Sequence, residues 1–303
     1  MKTGLQRPLR APIAKAGIMA RMGIFFRRKA GRAVAGALAI CALAGCGAAR
    51  DDAPGRDAPT FVSLNPCLDA ILVEVAEPEQ ILALSHYSRD PSASSMDVER
   101  AHQFGVTGGT VEEILALEPD VVLASTFIAP ATRNALDRLG LRVESFGSPA
   151  NSAESIEQVR ALATLTENTS AGEALVARIE ALPAAKGDGD LTALLWQPGQ
   201  IVPGQNTLVA EHIRAAGFAD YAAERGLAQA DYISLEQILS DPPDLLLVAG
   251  NSAGQRHPIL SGALPSMRVA EYDPSLLYCG GPTIPAARER LKALHDDMGR
   301  GPQ

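Results

Sequence analysis

Glu112-Glu113-Ile114-Leu115-Ala116-Leu117-Glu118-Pro119-Asp120-Val121-Val122-Leu123 decides the fold, because the chain writes this pattern twice. The second copy, Glu236-Gln237-Ile238-Leu239-Ser240-Asp241-Pro242-Pro243-Asp244-Leu245-Leu246-Leu247, lies 124 residues further on. Each copy reads as a short helix, a Pro-Asp turn and an apolar strand. Proline neither continues a helix nor sits in mid-sheet, so it marks the junction both times. Either copy alone is a common unit. The match of Glu, Ile-Leu, Pro-Asp and the apolar run together predicts a repeat at the level of whole lobes.

Working outward, strands are expected at Thr60–Leu64, Ile81–Ser85, Pro119–Ala124 and Leu141–Phe146. Helical patterns fall between and after them, at Leu68–Val75, Val111–Leu117, Ala131–Leu139 and Ser152–Leu165. A second set has strands at Leu191–Gln197, Asp244–Ala249 and Arg268–Tyr272, with helices at Thr207–Ala216, Ser234–Leu239 and Thr283–His295. Alternating strand and helix predicts α/β lobes with mostly parallel sheets. Between the sets, Leu175, Ile179 and Leu182 recur at helical spacing after Ser170, a good N-cap. Pro183 and Lys186-Gly187-Asp188-Gly189 stop this helix. The expected fold is two Rossmann-like lobes, residues 60–168 and 186–303, joined by one long α-helix over 169–185, with a ligand cleft between them.

Charge is unevenly placed. The 303 residues carry a formal net charge of −8, yet residues 1–46 hold nine Lys and Arg and no acid. Residues 47–303 therefore hold 18 basic and 35 acidic residues, a net of −17. A body that acidic repels phosphates, so nucleic acid is not an expected partner. Hydrophobic residues make up 47% of the chain, enough for real cores and against disorder.

The basic N-terminus ends in Ala33–Cys46, AVAGALAICALAGC, which is 14 residues without charge. A spanning helix needs roughly 20 apolar residues, so this is the layout of a secretory signal rather than a membrane span. Leu43-Ala44-Gly45-Cys46 resembles the bacterial lipobox, which implies cleavage before Cys46 and lipid attached to its thiol. The expected organisation is a signal peptide over 1–45 and a flexible tether over 46–59. Met19 or Met22 would give a start of more usual signal length.

At this point the chain resembles the substrate-binding proteins of bacterial ABC importers for iron chelates and cobalamin, the class with two lobes and one connecting helix. The resemblance covers residues 60–296. It rests on Val62-Ser63-Leu64-Asn65-Pro66, Ile81–Ser85, the two repeat copies, the interlobe helix and Cys279-Gly280-Gly281-Pro282, in that order. It implies a lipid-anchored periplasmic monomer with no intrinsic cofactor. Such a protein captures a metal chelate (ferric siderophore, haem or cobalamin) and delivers it to a permease and ATPase complex at the inner membrane. It implies that Glu112 and Glu236, one per lobe, dock onto permease arginines. A helix dipole alone would also favour an acid at these two places. A stiff connecting helix implies only modest closure of the cleft.

The ligand is then expected at the carboxyl ends of the parallel strands. The lining candidates are Asn65, Pro66 and Cys67; His86, Tyr87 and Arg89; Phe127; Trp196 and Gln197; Tyr232; and Tyr278 and Cys279. Tyr87 and Trp196 lead, because flat aromatic surface suits a planar macrocycle. Arg89 suits a ligand carboxylate or phosphate. With Cys41 in the signal and Cys46 lipidated, Cys67 and Cys279 remain. A disulfide between them, free thiols facing the ligand, and unrelated spectators all stay open.

Two other classes compete. Gly250-Asn251-Ser252-Ala253-Gly254 matches the hydrolase elbow G-x-S-x-G, and Asp273 and His295 follow in triad order. Against it, Pro258 interrupts the helix that an elbow needs. A non-catalytic envelope scaffold is the other alternative. The five histidines, His86, His102, His212, His257 and His295, have no ligand spacing, so no metal site is expected.

Overall fold

The computed structural model describes residues 58–181, 189–250, 252–261 and 266–300. The expected signal, Cys46 and most of the tether lie outside the described residues. Among those described, no helix is long and apolar enough to cross a membrane.

The N-terminal half runs β1 (Phe61–Ser63), α1 (Pro66–Val75), β2 (Ile81–Ser85), α2 (Val98–Ala101), β3 (Val106–Thr107), α3 (Val111–Leu117), β4 (Val121–Ser125), α4 (Pro130–Arg138), β5 (Arg142–Phe146), α5 (Ser152–Leu165) and α6 (Thr169–Glu180). The C-terminal half runs β6 (Thr192–Trp196), β7 (Ile201–Val202), α7 (Leu208–Ala215), β8 (Ala219–Asp220), α8 (Tyr221–Glu224), β9 (Asp231–Tyr232), α9 (Leu235–Ser240), β10 (Leu245–Val248), β11 (Arg268–Glu271) and α10 (Thr283–Gly299). The first half forms a parallel sheet in the order β3-β2-β1-β4-β5, and the second a parallel sheet in the order β11-β10-β6-β8. A small antiparallel ribbon, β7-β9, stands beside the second. Its strands are two residues each, too short to leave a periodic signal in the sequence.

The repeat is exact in its bonding. Thr110 caps α3 by accepting from the Glu113 amide, and Ser234 caps α9 by accepting from the Gln237 amide. Ile114 and Ile238, 124 residues apart, are the fully buried anchors of the two helices. At the Pro-Asp turns, Asp120 accepts from the amide and hydroxyl of Thr60, both at 2.8 Å, tying the turn to the start of the neighbouring strand. Asp244 does the same for Thr192 at 2.7 and 2.8 Å. The Pro-Asp pair therefore stops a helix and also pins β4 to β1 and β10 to β6 in register.

The N-cap of α6 is Asn168, two residues earlier than the Ser170 expected from sequence. Asn168 Oδ1 accepts from both the Ala171 amide and the Ser170 hydroxyl. The buried face of α6, Leu175, Val176 and Ile179, packs with α1 and α5 in the N-terminal core.

That core also takes in Leu208 from α7 and Ile284 from α10, so it extends across both halves. Polar contacts reinforce the seam. Glu211 accepts from the amide and hydroxyl of Ser152, and Arg288 donates to both Glu211 and the Ser152 hydroxyl. The run Gly280-Gly281 lies flat against α1 and α5, with the Gly281 amide donating to Ser155 Oγ at 2.7 Å. A Cβ on Gly281 would stand 2.6 Å from Ile71 Cγ1, at a φ of +64° that favours glycine. Gly281→Ala should therefore lower stability by about 1–3 kcal/mol, the usual cost of overpacking. Chemical denaturation at matched pH checks this; an unchanged midpoint would show that the seam can move apart freely.

Candidate functional site

In each half the strand order reverses next to the first strand, between β1 and β4 and between β6 and β10. Crevices open at the carboxyl ends of strands at such points. In the N-terminal half this crevice is lined by Asn65, Cys67, Ser125 and the loop Phe146–Pro149, with Tyr278 arriving from the C-terminal half. In the C-terminal half the equivalent point is closed. Gln255 Nε2 donates to the carbonyls of Trp196 and Ala249, both at 3.0 Å, and stitches the ends of β6 and β10 together.

Cys67 and Cys279 are joined in a disulfide, with Cα atoms 5.0 Å apart and a sequence separation of 212. The bond sits in the floor of the crevice and links α1 to the turn before α10. Asn65 is committed beside it, since its Oδ1 caps α1 by accepting from the amides of Cys67 and Leu68. Pro66 is the first residue of that helix, where its missing amide costs nothing.

Among the described residues the exposed Phe, Tyr and Trp side chains are Tyr87, Phe127, Tyr232 and Tyr278. All four lie among the expected cleft residues. Phe127 is 82% exposed, an expensive placement for a phenyl ring unless something covers it. Tyr87 leans on exposed His86, ring centres 4.0 Å apart. Tyr232 stands on the β7-β9 ribbon.

Trp196 requires a correction. It is 2% exposed and packs with Tyr221, Ile233 and Ile238, and its Nε1 donates to the Ile233 carbonyl. Its ring belongs to the C-terminal core and not to the cleft surface. A strand-end aromatic can turn to either face, and sequence alone does not decide which. Arg89 is also less available than expected, because it donates to the Phe104 carbonyl at 2.5 Å. Gln197 is partly exposed after β6, its backbone engaged with Ile201 and Gln200. Sequence reading missed Phe146–Pro149 and Gln158, which also line the floor. Their position after β5 was the available signal. Gln158 Nε2 donates to the Gly147 carbonyl and holds that loop.

Glu112 and Glu236 are exposed at equivalent places in the first turns of α3 and α9. Glu113, adjacent to the first, is instead bound to the Thr107 hydroxyl and the Gly108 amide. Its repeat partner Gln237 accepts from the Ser234 amide. Glu113 and Gln237 thus build the helix starts, while Glu112 and Glu236 are exposed, the Glu236 carboxyl held below the usual range by its own amide and the Ser234 hydroxyl.

The hydrolase constellation does not assemble. A turn and a 3-10 helix at Pro258–Ser261 follow Ser252, where an elbow needs an α-helix. Asp273 caps a local turn by accepting from the Ser275 amide. The His295 ring packs edge-on against Phe218. Among the described residues no group of three His, Cys, Asp or Glu is placed to hold a metal ion.

Two buried titratable groups respond to pH in opposite senses. Burial pushes Asp69 up to about 7, against the opposing hydrogen bonds of Ser63, Ser88 and Ser85. Burial, with Arg288 adding to it and Glu211 opposing, pushes His212 down to about 4. A raised acid stabilises most below its unfolded value of 3.8 and loses that contribution as pH rises through 7. A depressed histidine stabilises above its unfolded value of 6.5 and loses that contribution as pH falls through 4. The two slopes oppose each other between pH 4 and 6.5. Asp69→Asn removes one of them, so the variant should lose stability on acidification across that window more steeply than the wild type. Denaturation midpoints at pH 4.5, 5.5, 6.5 and 7.5 check this; parallel profiles would refute it.

Comparison with known proteins follows the same lines. The family model described as "Periplasmic binding protein" matches residues 61–261. A curated relative named "Cobalamin-binding protein" from Halobacterium salinarum is 28% identical over 201 residues, covering 63% of this chain and 54% of the relative. The chain thus spans about half the length of the curated relatives it matches. Among solved structures, the periplasmic heme-binding protein RhuT from Roseiflexus sp. RS-1 superposes with a TM-score of 0.62 at 23% identity, covering 78% of this chain and 98% of that one. The periplasmic vitamin B12 binding protein BtuF of Vibrio cholerae superposes with a TM-score of 0.61 at 17% identity, covering 81% and 99%. At these identities the structural likeness is one of fold.

Proposed function

The chain belongs to the periplasmic binding protein family, and from that premise we propose that it is the receptor of an ABC importer for a flat metal chelate, cobalamin before haem or a ferric siderophore. Cargo binds at the crevice between the halves, and no covalent chemistry is involved. Docking on the permease is through Glu112 and Glu236, and the permease is driven by its ATPase. The receptor works outside the cytoplasm as a monomer, held to the membrane by lipid on Cys46.

The observation that carries this reading is the segregation of aromatics. Phe61, Trp196, Phe218, Tyr221 and Tyr272 are buried, while the exposed rings are those of the segments expected at the cleft. Tyr278 lines the crevice, and Tyr87, Phe127 and Tyr232 lie in segments expected at its rim; four uncovered rings so distributed suit a large planar ligand that covers them on binding.

Charge favours cobalamin within the class. Haem propionates and anionic siderophores call for free cations. On the described segments that follow the strand ends, the arginines are Arg89 and Arg256, and Arg89 is held by a backbone carbonyl. A macrocycle fringed with neutral amides fits such a rim better. The name of the curated relative points the same way.

Removing the rings tests the reading at the site. Phe127→Ala with Tyr278→Ala should weaken cobalamin binding roughly 10-fold or more, since each face-on ring contact is worth about 0.5–1.5 kcal/mol beyond the buried area. Calorimetric titration measures it. Unchanged affinity would move the ligand away from this crevice.

A further inference from the structure

Asp69 is the one carboxylate buried in the body of α1, with no exposure to solvent. Its Oδ2 accepts from the Ser85 amide at 2.9 Å and from the Ser88 hydroxyl at 2.6 Å. These two residues bracket His86 and Tyr87. A single oxygen therefore grips both ends of the turn that carries the exposed Tyr87. Its other oxygen, Oδ1, is buried as well, with the Ser63 hydroxyl beside the carboxyl group. An acid placed like this costs stability at neutral pH, because burial holds its proton to about 7. A hydrophobic residue would fill the same space without that cost.

We propose that Asp69 is a positioning residue for ligand capture: it holds the Ser85–Arg89 turn from behind and thereby fixes Tyr87 at the mouth of the cleft. The proposal rests on the cleft being the ligand site. The groups that face the carboxylate are hydroxyls and an amide, from Ser63 on β1, Ser85 on β2 and Ser88 in the turn. The charged or titratable side chains of the turn look elsewhere. His86 is exposed against Tyr87, and Arg89 reaches the Phe104 carbonyl. The turn keeps few other ties: Tyr87 N–H reaches Ser85 Oγ at 3.4 Å, and Asp90 N–H bonds the Tyr87 carbonyl at 3.1 Å. Without Asp69 the turn loses both bonds that connect it to the core helix.

The test uses the purified protein with cyanocobalamin, haemin and a ferric siderophore as probes, and amide hydrogen exchange without ligand. Asp69→Ala should speed exchange at Ser85–Ser88 at least 10-fold while the remaining strands of the sheet keep their protection. It should also raise the Kd of the bound probe at least 10-fold. Asp69→Asn keeps an acceptor oxygen for Ser85 and Ser88, so it should restore both readouts to within 3-fold of wild type. A residue needed only to fill space would not distinguish alanine from asparagine in this way. Ser88→Ala, which removes one of the two bonds, should fall between them and decides the matter if Asp69→Ala does not fold. Wild-type exchange and Kd in Asp69→Ala, or in Ser88→Ala in that case, would overturn the proposal. If no probe binds the wild type, the ligand reading fails, and turn exchange alone still decides whether Asp69 holds the turn.

Discussion

Cells whose receptor carries Glu112→Ala and Glu236→Ala together are expected to lose cargo uptake roughly 100-fold or more, while the purified variant binds its ligand as the wild type does. The magnitude follows from interfacial charge pairs, where truncating one desolvated partner costs about 2–5 kcal/mol. The separation of effects follows from position. Both residues sit in the first turns of α3 and α9, and neither is among the residues lining the crevice. Each helix keeps its own cap through Thr110 or Ser234, so the substitutions leave the fold in place. Glu113→Ala serves as the control, because it removes a carboxylate bound to Thr107 and Gly108 and should reduce stability more than docking. Normal uptake by the double variant would refute the docking role. Lost ligand affinity with normal docking would reassign the two acids to the cleft.

The second large effect is on stability. Reducing the Cys67–Cys279 bond, or replacing both cysteines by serine, should cost about 5 kcal/mol, from the loop-entropy estimate for a ring closed over 212 residues. For a chain of this size that lowers Tm by about 10 °C or more. Because the bond crosses the seam, its loss acts on the two halves together. What then holds them is the shared core with Leu208 and Ile284 and the Ser152–Glu211–Arg288 cluster. Thermal unfolding with and without reductant measures the effect. Coincident curves, with two free thiols titrating in the unreduced protein, would contradict the disulfide.

Much of this was legible in the chain. Alternating strands and helices predicted the parallel sheets, and the repeat at an offset of 124 predicted two lobes, because Pro-Asp turns followed by apolar strands are local signals. The family resemblance pointed to Glu112 and Glu236, which the structure leaves exposed, while the neighbouring Glu113 is bound to Thr107 and Gly108. The cleft was legible only in part. Tyr87, Phe127, Tyr232 and Tyr278 were singled out because loop aromatics near strand ends stand out, and the structure leaves all four rings exposed. Trp196 was misplaced because it shares a face of β6 with Leu194, and that face packs into the core beside Tyr221. Gln255, whose amide closes the C-terminal switch point, left no signal at all, since its partners are backbone carbonyls distant in sequence. The sequence leaves the pairing of Cys67 with Cys279 open; the structure joins them where the Gly280-Gly281 run lies against α1 and α5. Contacts across the seam depend on how the halves meet, and no local pattern encodes that.

The central claim is that the crevice captures a cobalt corrinoid. Calorimetric titration of the purified protein with cyanocobalamin tests it most directly. Tryptophan fluorescence would be a poor reporter, with Trp196 buried away from the cleft surface. The account predicts saturable one-to-one binding at micromolar affinity or tighter, with haemin and a ferric siderophore at least about 10-fold weaker, a gap of about 1.4 kcal/mol. No saturable heat with cyanocobalamin, or tighter binding of an anionic chelate, would contradict it.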